Sequence, residues 1–324
     1  MSHVLVCGGA GYIGSHMVRL LTATGHGVTV FDNLSTGHRQ AIAGADFIEG
    51  DLLDPADLAR AFSARPFDAV MHFAALSIVG ESVREPVRYY RNNVAGTMNL
   101  VAAMHRAGVA RLVFSSTAAV YGMSGAEWID EDQPLQPINP YGASKAMAER
   151  VIADACKAHG MGAVALRYFN AAGADPSGEI GESHSPETHL IPNVLRAALD
   201  GSSVGIFGRD YPTPDGTCIR DYVHVCDLAE AHRRALDYLE ARRGFHVFNL
   251  GSGTGFSVLQ VLEQARRISG RNIASQDLPR RDGDPVRLVA SGKKAAEALG
   301  WDPRGSALTG IVESAWRWHR NPRY

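Results

Sequence analysis

One turn constrains this chain more than any other stretch. Gly8-Gly9-Ala10-Gly11-Tyr12-Ile13-Gly14 directly follows the apolar run Val4-Cys7 and opens a helical pattern from Ser15 to Thr24. In the spacing Gly9-x-Gly11-x-x-Gly14, glycines permit a tight turn, let backbone N–H groups approach a pyrophosphate and let helix pack on strand. A ligand-free strand–helix turn shares that pattern, so a second mark is needed. Asp32 supplies it: it ends a second strand 18 residues after Gly14. A carboxylate there hydrogen-bonds adenosine ribose hydroxyls and repels a 2′-phosphate, favouring NAD over NADP.

The first half alternates short β-branched runs with helical patterns, the rhythm of βαβ units around a parallel sheet. Strands are expected at Val4-Cys7, Val28-Phe31, Asp46-Glu49, Ala69-Phe73, Arg111-Ser115 and Ala163-Tyr168, with helices over Pro55-Ser63 and Pro86-His105. Asp54-Pro55 reads as an N-cap followed by proline in the first helical position. Ala174 to Pro192, rich in Gly, Pro, Ser, His and Glu, reads as a long loop. Beyond it, Asn193-Asp200 and Asp227-Ala241 are helical, Val204-Phe207 and Phe245-Leu250 are strand-like, and Tyr211-Gly216 is turn-rich. The expected architecture is α/β, with a doubly wound parallel sheet in 1–173 and a smaller α/β C-terminal lobe in 174–324. Residues 220–251 are able to fold back onto the first sheet.

Composition narrows the function classes. Lys+Arg 32 against Asp+Glu 34 leaves a net charge of −2, no field for nucleic acid or an anionic membrane. Cys7, Cys156, Cys218 and Cys226 are scattered without a Cys-x-x-Cys pair, which fits reduced thiols in an intracellular protein. No apolar run suits a membrane span and no signal peptide precedes Val4, so a cytoplasmic location is expected. His184 and His189 stand close in the long loop but lack Glu or Cys partners at ligand spacing, so no metal site is expected.

Tyr141-Gly-Ala-Ser-Lys145 follows Asn139-Pro140 and places Tyr and Lys one helical turn apart. A phenol is a poor base at neutral pH; an ammonium one turn away favours the phenolate and can hold a nicotinamide ribose. Random placement of the ten tyrosines and four lysines gives only about 0.1 such pairs. Ser115-Ser-Thr117 ends the fifth strand, where ligands lie in a doubly wound sheet. Thr117 reads as a proton relay or substrate hydrogen-bonder, and equally as a loop-capping hydroxyl.

These motifs carry a resemblance. Alongside Asp32-Asn33, Gly50-Asp51-Leu52, His72-Phe-Ala-Ala75, Asn92-Asn93-Val94, Arg167-Tyr-Phe-Asn170, the 208–216 stretch GRDYPTPDG, Arg220-Asp-Tyr-Val-His224 and Arg281-Asp-Gly-Asp284, the chain resembles the extended short-chain dehydrogenase/reductases, in their nucleotide-sugar 4-epimerase branch. The resemblance runs from Val4 to about Trp301. It implies a Rossmann domain whose NAD stays bound, held by Gly8, Gly11, Tyr12, Ile13, Gly14, Asp32, Asn33, Asp51, Leu52, Phe73, Ala74, Ala75, Asn92, Ser115, Tyr141, Lys145 and Tyr168. Asp51 is also placed to cap the next element. A UDP-sugar, UDP-glucose or UDP-galactose, would meet Thr117, Asn170, His189, Leu190, Gly205, Phe207, Arg220, Leu288, Arg281 and Asp284. Two arginines facing a diphosphate suit its planar oxygen pairs, although either also fits a surface ion pair. Tyr141 would take the 4′-hydroxyl proton directly or through Thr117 while hydride leaves C4; the keto sugar would rotate and take hydride back on its other face. The branch further implies a homodimer, for which the helices over Pro86-His105 and Gly142-His159 are long enough.

Three positions depart from the pattern: Ser77 replaces a cofactor-contacting lysine, His189 a frequent asparagine, and Leu288 stands at the gate for N-acetyl sugars, between the excluding aromatic and the admitting small residue. Rival readings are a 4-epimerase of UDP-N-acetylhexosamine, UDP-glucuronate or a UDP-pentose, a nucleotide-sugar 4,6-dehydratase, and a non-catalytic NAD sensor. Dehydration needs an acid beside Thr117, where this chain has Ala118-Ala119.

Overall fold

The computed structural model describes residues 2–281 and 284–324; of the Arg281–Asp284 motif, Asp282 and Gly283 lie outside the described residues. Strand β1 (His3–Cys7) is apolar after its first residue and fully buried from Val4 to Cys7, as a parallel strand covered on both faces must be. The glycine turn leads into α1 (Tyr12–Ala23) and back through β2 (Gly27–Asp32), which pairs in parallel with β1 and with β3 (Asp46–Glu49). Helix α2 (Pro55–Ala64) starts as its sequence predicts: the Asp54 carboxylate accepts from the Ala56 N–H and Pro55 opens the first turn. Strand β4 (Ala69–His72) lies on the other side of β1.

Next come α3 (Val79–Arg84), α4 (Pro86–Tyr89) and α5 (Gly96–Arg106), with a π-helical turn over Tyr90–Ala95 between the last two. The regular helix expected over Pro86-His105 is therefore widened at its middle, a distortion frequent at functional sites, and the widened turn carries Asn92 and Asn93. Strand β5 (Arg111–Ser115) is followed by α6 (Pro140–His159) and β6 (Gly162–Tyr168). The Asn139 side chain accepts from Gly142 N–H at 2.9 Å, fixing where α6 begins.

From β7 (Asn170–Ala172) the chain enters the second lobe; α7 (Leu190–Asp200) takes in Leu190-Ile191-Pro192, shortening the expected loop. Strands β8 (Ser203–Phe207) and β9 (Ile219–His224) belong to the lobe's small sheets, whereas α8 (Val225–Tyr238) and β10 (Gly244–Leu250) return to the first one. Then follow β11 (Gly255–Ser257), α9 (Val258–Ser269), β12 (Ala274–Leu278), β13 (Arg287–Leu288), α10 (Lys293–Leu299) and α11 (Leu308–His319).

The main sheet has the order β10-β6-β5-β4-β1-β2-β3, all parallel. Chain direction across the sheet reverses between β1 and β4, and a crevice opens there at the carboxyl ends. One face buries Met17, Leu21, Val30, Leu236 and Trp301; the other buries Leu5, Phe31, Leu100, Met104 and Ile152. Each such side chain contributes about 1.5–3 kcal/mol. The lobe has its own core around Val194, Leu195, Ile206, Leu262 and Val312.

Candidate active site

At the crevice, the glycine turn is compressed against its neighbours. Gly8 has φ +78°, and a Cβ there would lie 2.4 Å from the Ala74 nitrogen; a Cβ on Gly14 would lie 2.1 Å from the Gly8 oxygen. Only glycine permits this approach of α1 to β1 and of β1 to the turn after β4. Gly11 caps α1 without a side-chain hydrogen bond, and a Cβ there would meet protein no nearer than 3.5 Å. The first-turn amides of Tyr12, Ile13 and Gly14 are thus presented to an anion with the positive end of the helix behind them. Buried Asp32 accepts from Ala10 N–H at 2.9 Å and Leu34 N–H at 2.8 Å, which holds its carboxylate at the tip of β2. These features fit a dinucleotide.

Asp51 does not cap α2, whose cap is Asp54; its oxygens accept from Leu53 N–H at 2.8 Å and from the Asn33 amide at 3.0 Å, closing the turn before that helix, while Asn99 holds the Leu52 carbonyl. Phe73 packs on His232 with ring centroids 4.7 Å apart. Asn93 clamps the segment after Ala75: it accepts from Leu76 N–H and donates to the Leu76 carbonyl and the Ser144 hydroxyl. The Asn92 side chain donates to the Asn93 side-chain oxygen at 2.9 Å, and Ser77 is exposed. Asn93 thus positions the segment after Ala75, a role the sequence reading did not assign to it, although the Asn-Asn pair was in view there.

Tyr141 and Lys145, on the first turns of α6, point across β5. Lys145 is 3% exposed, donates to the Ser115 carbonyl at 2.7 Å and lies 4.4 Å above the Phe114 ring. Burial lowers its pKa to about 7, against the opposing charge of Glu149. Burial holds the Tyr141 phenol above its ordinary pKa, and the Thr117 hydroxyl beside it pulls it back. Thr117 also accepts from Ala119 N–H at 3.1 Å, so it serves as a cap as well. Tyr168 hydrogen-bonds Ser115, joining the ends of β5 and β6.

Behind this turn lies a network that spacing along the chain did not reveal. Glu149 pairs with Arg167, and its Oε1 accepts from the Ser116 hydroxyl at 2.5 Å. Arg167 also donates to the Tyr121 hydroxyl at 2.8 Å, which donates to Asn249 at 2.7 Å.

The second lobe supplies the remaining predicted residues. Asn170 donates to the Asp221 carbonyl at 2.8 Å. Arg220 pairs with Asp284, so these two expected substrate contacts hold each other, and the Arg281 guanidinium lies 3.7 Å from the Phe207 ring centroid. A Cβ on Gly205 would press Leu278 at 2.7 Å, which assigns that glycine to the packing of β8 on β12. Tyr211-Gly216 closes on itself, with Asp215 accepting from Thr217 and Ser257. Leu288 packs with Ala118, Val120 and Tyr121, directly beside the Thr117 turn. Leu190 opens α7. The expectation that His184 and His189 lack acidic partners is corrected: the loop folds Glu182 and Glu187 against both rings. Each histidine stands two residues after a glutamate in the sequence, a spacing that matches no helical metal motif, and it is the folding of the loop that brings the four together.

This arrangement defines a nucleotide-dependent short-chain oxidoreductase fold with a tyrosine–lysine pair, and the chain belongs to the NAD dependent epimerase/dehydratase family, whose model matches residues 4–251. Within it, the UDP-glucose 4-epimerase of Lacticaseibacillus casei is 50% identical over 321 residues, 98% of this chain and 97% of that protein. A crystal structure of a UDP-glucose 4-epimerase superposes with a TM-score of 0.97 at 48% identity, covering 99% of this chain and 98% of that one. The UDP-glucose 4-epimerase from Brucella ovis in complex with NAD gives 0.95 at 47% identity, with 98% of both chains covered.

Proposed function

We propose that this chain is an NAD-dependent enzyme interconverting UDP-glucose and UDP-galactose by inversion at the sugar C4. The observation that carries this reading is the convergence of Tyr141, Thr117 and Lys145 on the crevice that the glycine turn and Asp32 shape for a dinucleotide. When bound, NAD supplies a reversible hydride acceptor at C4. Tyr141 holds and returns the 4′-hydroxyl proton, with Thr117 as its hydrogen-bond partner, and the buried ammonium of Lys145 favours the phenolate. The sugar passes through a 4-ketone, and inversion requires the pocket to hold the nucleotide while leaving the hexose free to turn. Arg220, Arg281, Asn170, His189 and Phe207 are the nucleotide side of that pocket.

Glu149, the carboxylate touching Ser116, is bound to Arg167 and is not a free acid for dehydration. In this reading residues 1–173 with α8 and β10 hold the cofactor, and the remainder of 174–324 holds the UDP-sugar. The protein works as a cytoplasmic homodimer joined through α4, α5 and α6: Val87, Met98 and Met147 are exposed apolar side chains on those helical segments. Among the described residues no helix is long and apolar enough to cross a membrane.

Incubation of the purified protein with UDP-galactose and no added nicotinamide, followed by proton NMR, tests the proposal. UDP-glucose is expected, and Tyr141→Phe abolishes it. A 4-keto-6-deoxy sugar, or unchanged substrate even with NAD added, overturns it.

A further inference from the structure

The loop before α7 repeats a Glu-x-His dyad, Glu182-Ser-His184 and Glu187-Thr-His189, and folds the two dyads onto each other. One ligand atom from each residue lies within 4.8 Å of all the others. His189 Nδ1 is 2.6 Å and His184 Nδ1 3.2 Å from Glu182 Oε1. Glu187 reaches the same rings, with Oε1 3.4 Å from His189 Nδ1 and Oε2 3.8 Å from His184 Nδ1. Four atoms around a metal with bonds of about 2.0–2.1 Å sit about 3.3 Å apart at tetrahedral corners. The observed separations bracket that edge.

A second observation separates this group from an ordinary surface ion-pair cluster. Glu182 is 3% exposed, yet its Oε1 and the buried Nδ1 of His184 have no hydrogen-bond partner. The two atoms lie at ion-pair distance without hydrogen-bond directionality, and a buried carboxylate oxygen held by such contacts alone is costly. A cation between them satisfies both. Two imidazoles with two carboxylates form a borderline donor set that suits zinc and its neighbours better than calcium or magnesium, which take oxygen ligands. The carboxylates form the buried floor, and His184 and His189, 27% and 47% exposed, form the open side through which an ion enters.

We infer that Glu182, His184, Glu187 and His189 form a binding site for one zinc-class divalent cation. It is a structural site: the His184 ring lies 6.2 Å from the Tyr12 ring of the cofactor turn, Tyr12 donates to the Gly173 carbonyl at 2.6 Å, and His189 immediately precedes α7. The ion ties the cofactor turn to the first helix of the second lobe. It leaves His189 only its Nε2 for a nucleotide.

The full-length protein, stripped with chelator and dialysed, would be titrated with zinc by calorimetry, and with cobalt by visible spectroscopy. One equivalent of zinc should bind with a dissociation constant below about 1 μM, with a cobalt spectrum of tetrahedral type and a raised melting temperature. His184→Gln, on the half-open side, and Glu182→Gln should each weaken binding by about 10–100-fold or more, with circular dichroism confirming that they fold. Wild-type protein that binds no stoichiometric zinc overturns the inference. So does equal binding by wild type and the folded His184→Gln variant, which marks adventitious surface binding.

Discussion

Glu149 and Arg167 meet behind the catalytic turn as a two-armed ion pair, with Arg167 Nε 2.9 Å from Glu149 Oε1 and side chains 3% and 5% exposed. One is at the middle of α6, one turn after Lys145, and the other on β6, so the pair also fixes the helix that carries Tyr141 and Lys145. Removing one partner strands the other charge. Glu149→Ala is expected to cost about 3–5 kcal/mol, measured by urea unfolding, and a loss below about 1 kcal/mol would show that the guanidinium finds water.

Lys145 is expected to be irreplaceable even by arginine. Its ammonium fits between the Ser115 carbonyl and the Phe114 ring in a fully closed space, where a planar guanidinium does not. Lys145→Met and Lys145→Arg should both lower kcat by about 10²–10⁴-fold, with the NAD content of the purified protein measured alongside to separate lost cofactor from lost proton transfer. A Lys145→Arg enzyme with near-normal kcat would reassign the residue to general charge neutralisation.

Leu288 forms one wall beside the Thr117 turn, paired in β13 with Arg220 of β9. In the proposed reading, shortening it to Ser enlarges the space beside the hexose. The expected result is a gain of about 10-fold or more in kcat/KM for UDP-N-acetylgalactosamine relative to UDP-galactose, read by NMR or a coupled assay. An unchanged ratio would place the gate elsewhere.

Four buried histidines set an acid limit on stability. Burial lowers His16, His224 and His232 to about 4 and His72 to about 3. Each is neutral in the folded chain and titrates near 6.5 when unfolded, so below that pH the unfolded chain binds more protons. Their contribution is complete above pH about 6.5 and is lost as the pH falls toward about 4, at up to about 1.4 kcal/mol per pH unit for each ring. Urea unfolding at pH 7.5, 6, 5 and 4.5 measures the slope, and His232→Gln should reduce it by about one proton. A flat profile would contradict the buried neutral state.

What was legible in the chain was local. The β-branched runs gave the six strands of the first half within a residue or so, and Asp54-Pro55 and Asn139-Pro140 marked helix starts that the structure reproduces. The Tyr141, Lys145 and Thr117 convergence was readable because helix spacing and strand ends follow from periodicity. The widened turn at Tyr90–Ala95 was not, since a π turn has no compositional mark. Strand β9 was hidden inside a motif with the charged pair Arg220-Asp221; Asp221 is nevertheless fully buried, accepting from Ser252 and Ala290, and burial raises it to about 6. The Glu149–Arg167 pair joins distant elements, and the Glu–His grouping, although its residues stand together in the sequence at 182–189, forms through the fold of an irregular loop that no periodicity marks.

Strand β10 joins the main sheet beside β6 in parallel register from Gly244–Gly162 to Leu250–Tyr168. The outermost strand on that side therefore comes from beyond the first stretch of the second lobe. On a ribosome the dinucleotide fold cannot close until Leu250 has emerged; until then β6 is an open sheet edge with free N–H and C=O groups. This late, long-range pairing raises contact order and slows folding. A nascent chain paused before β10 is the species most exposed to edge-to-edge association, and the stage at which a chaperone has most to protect.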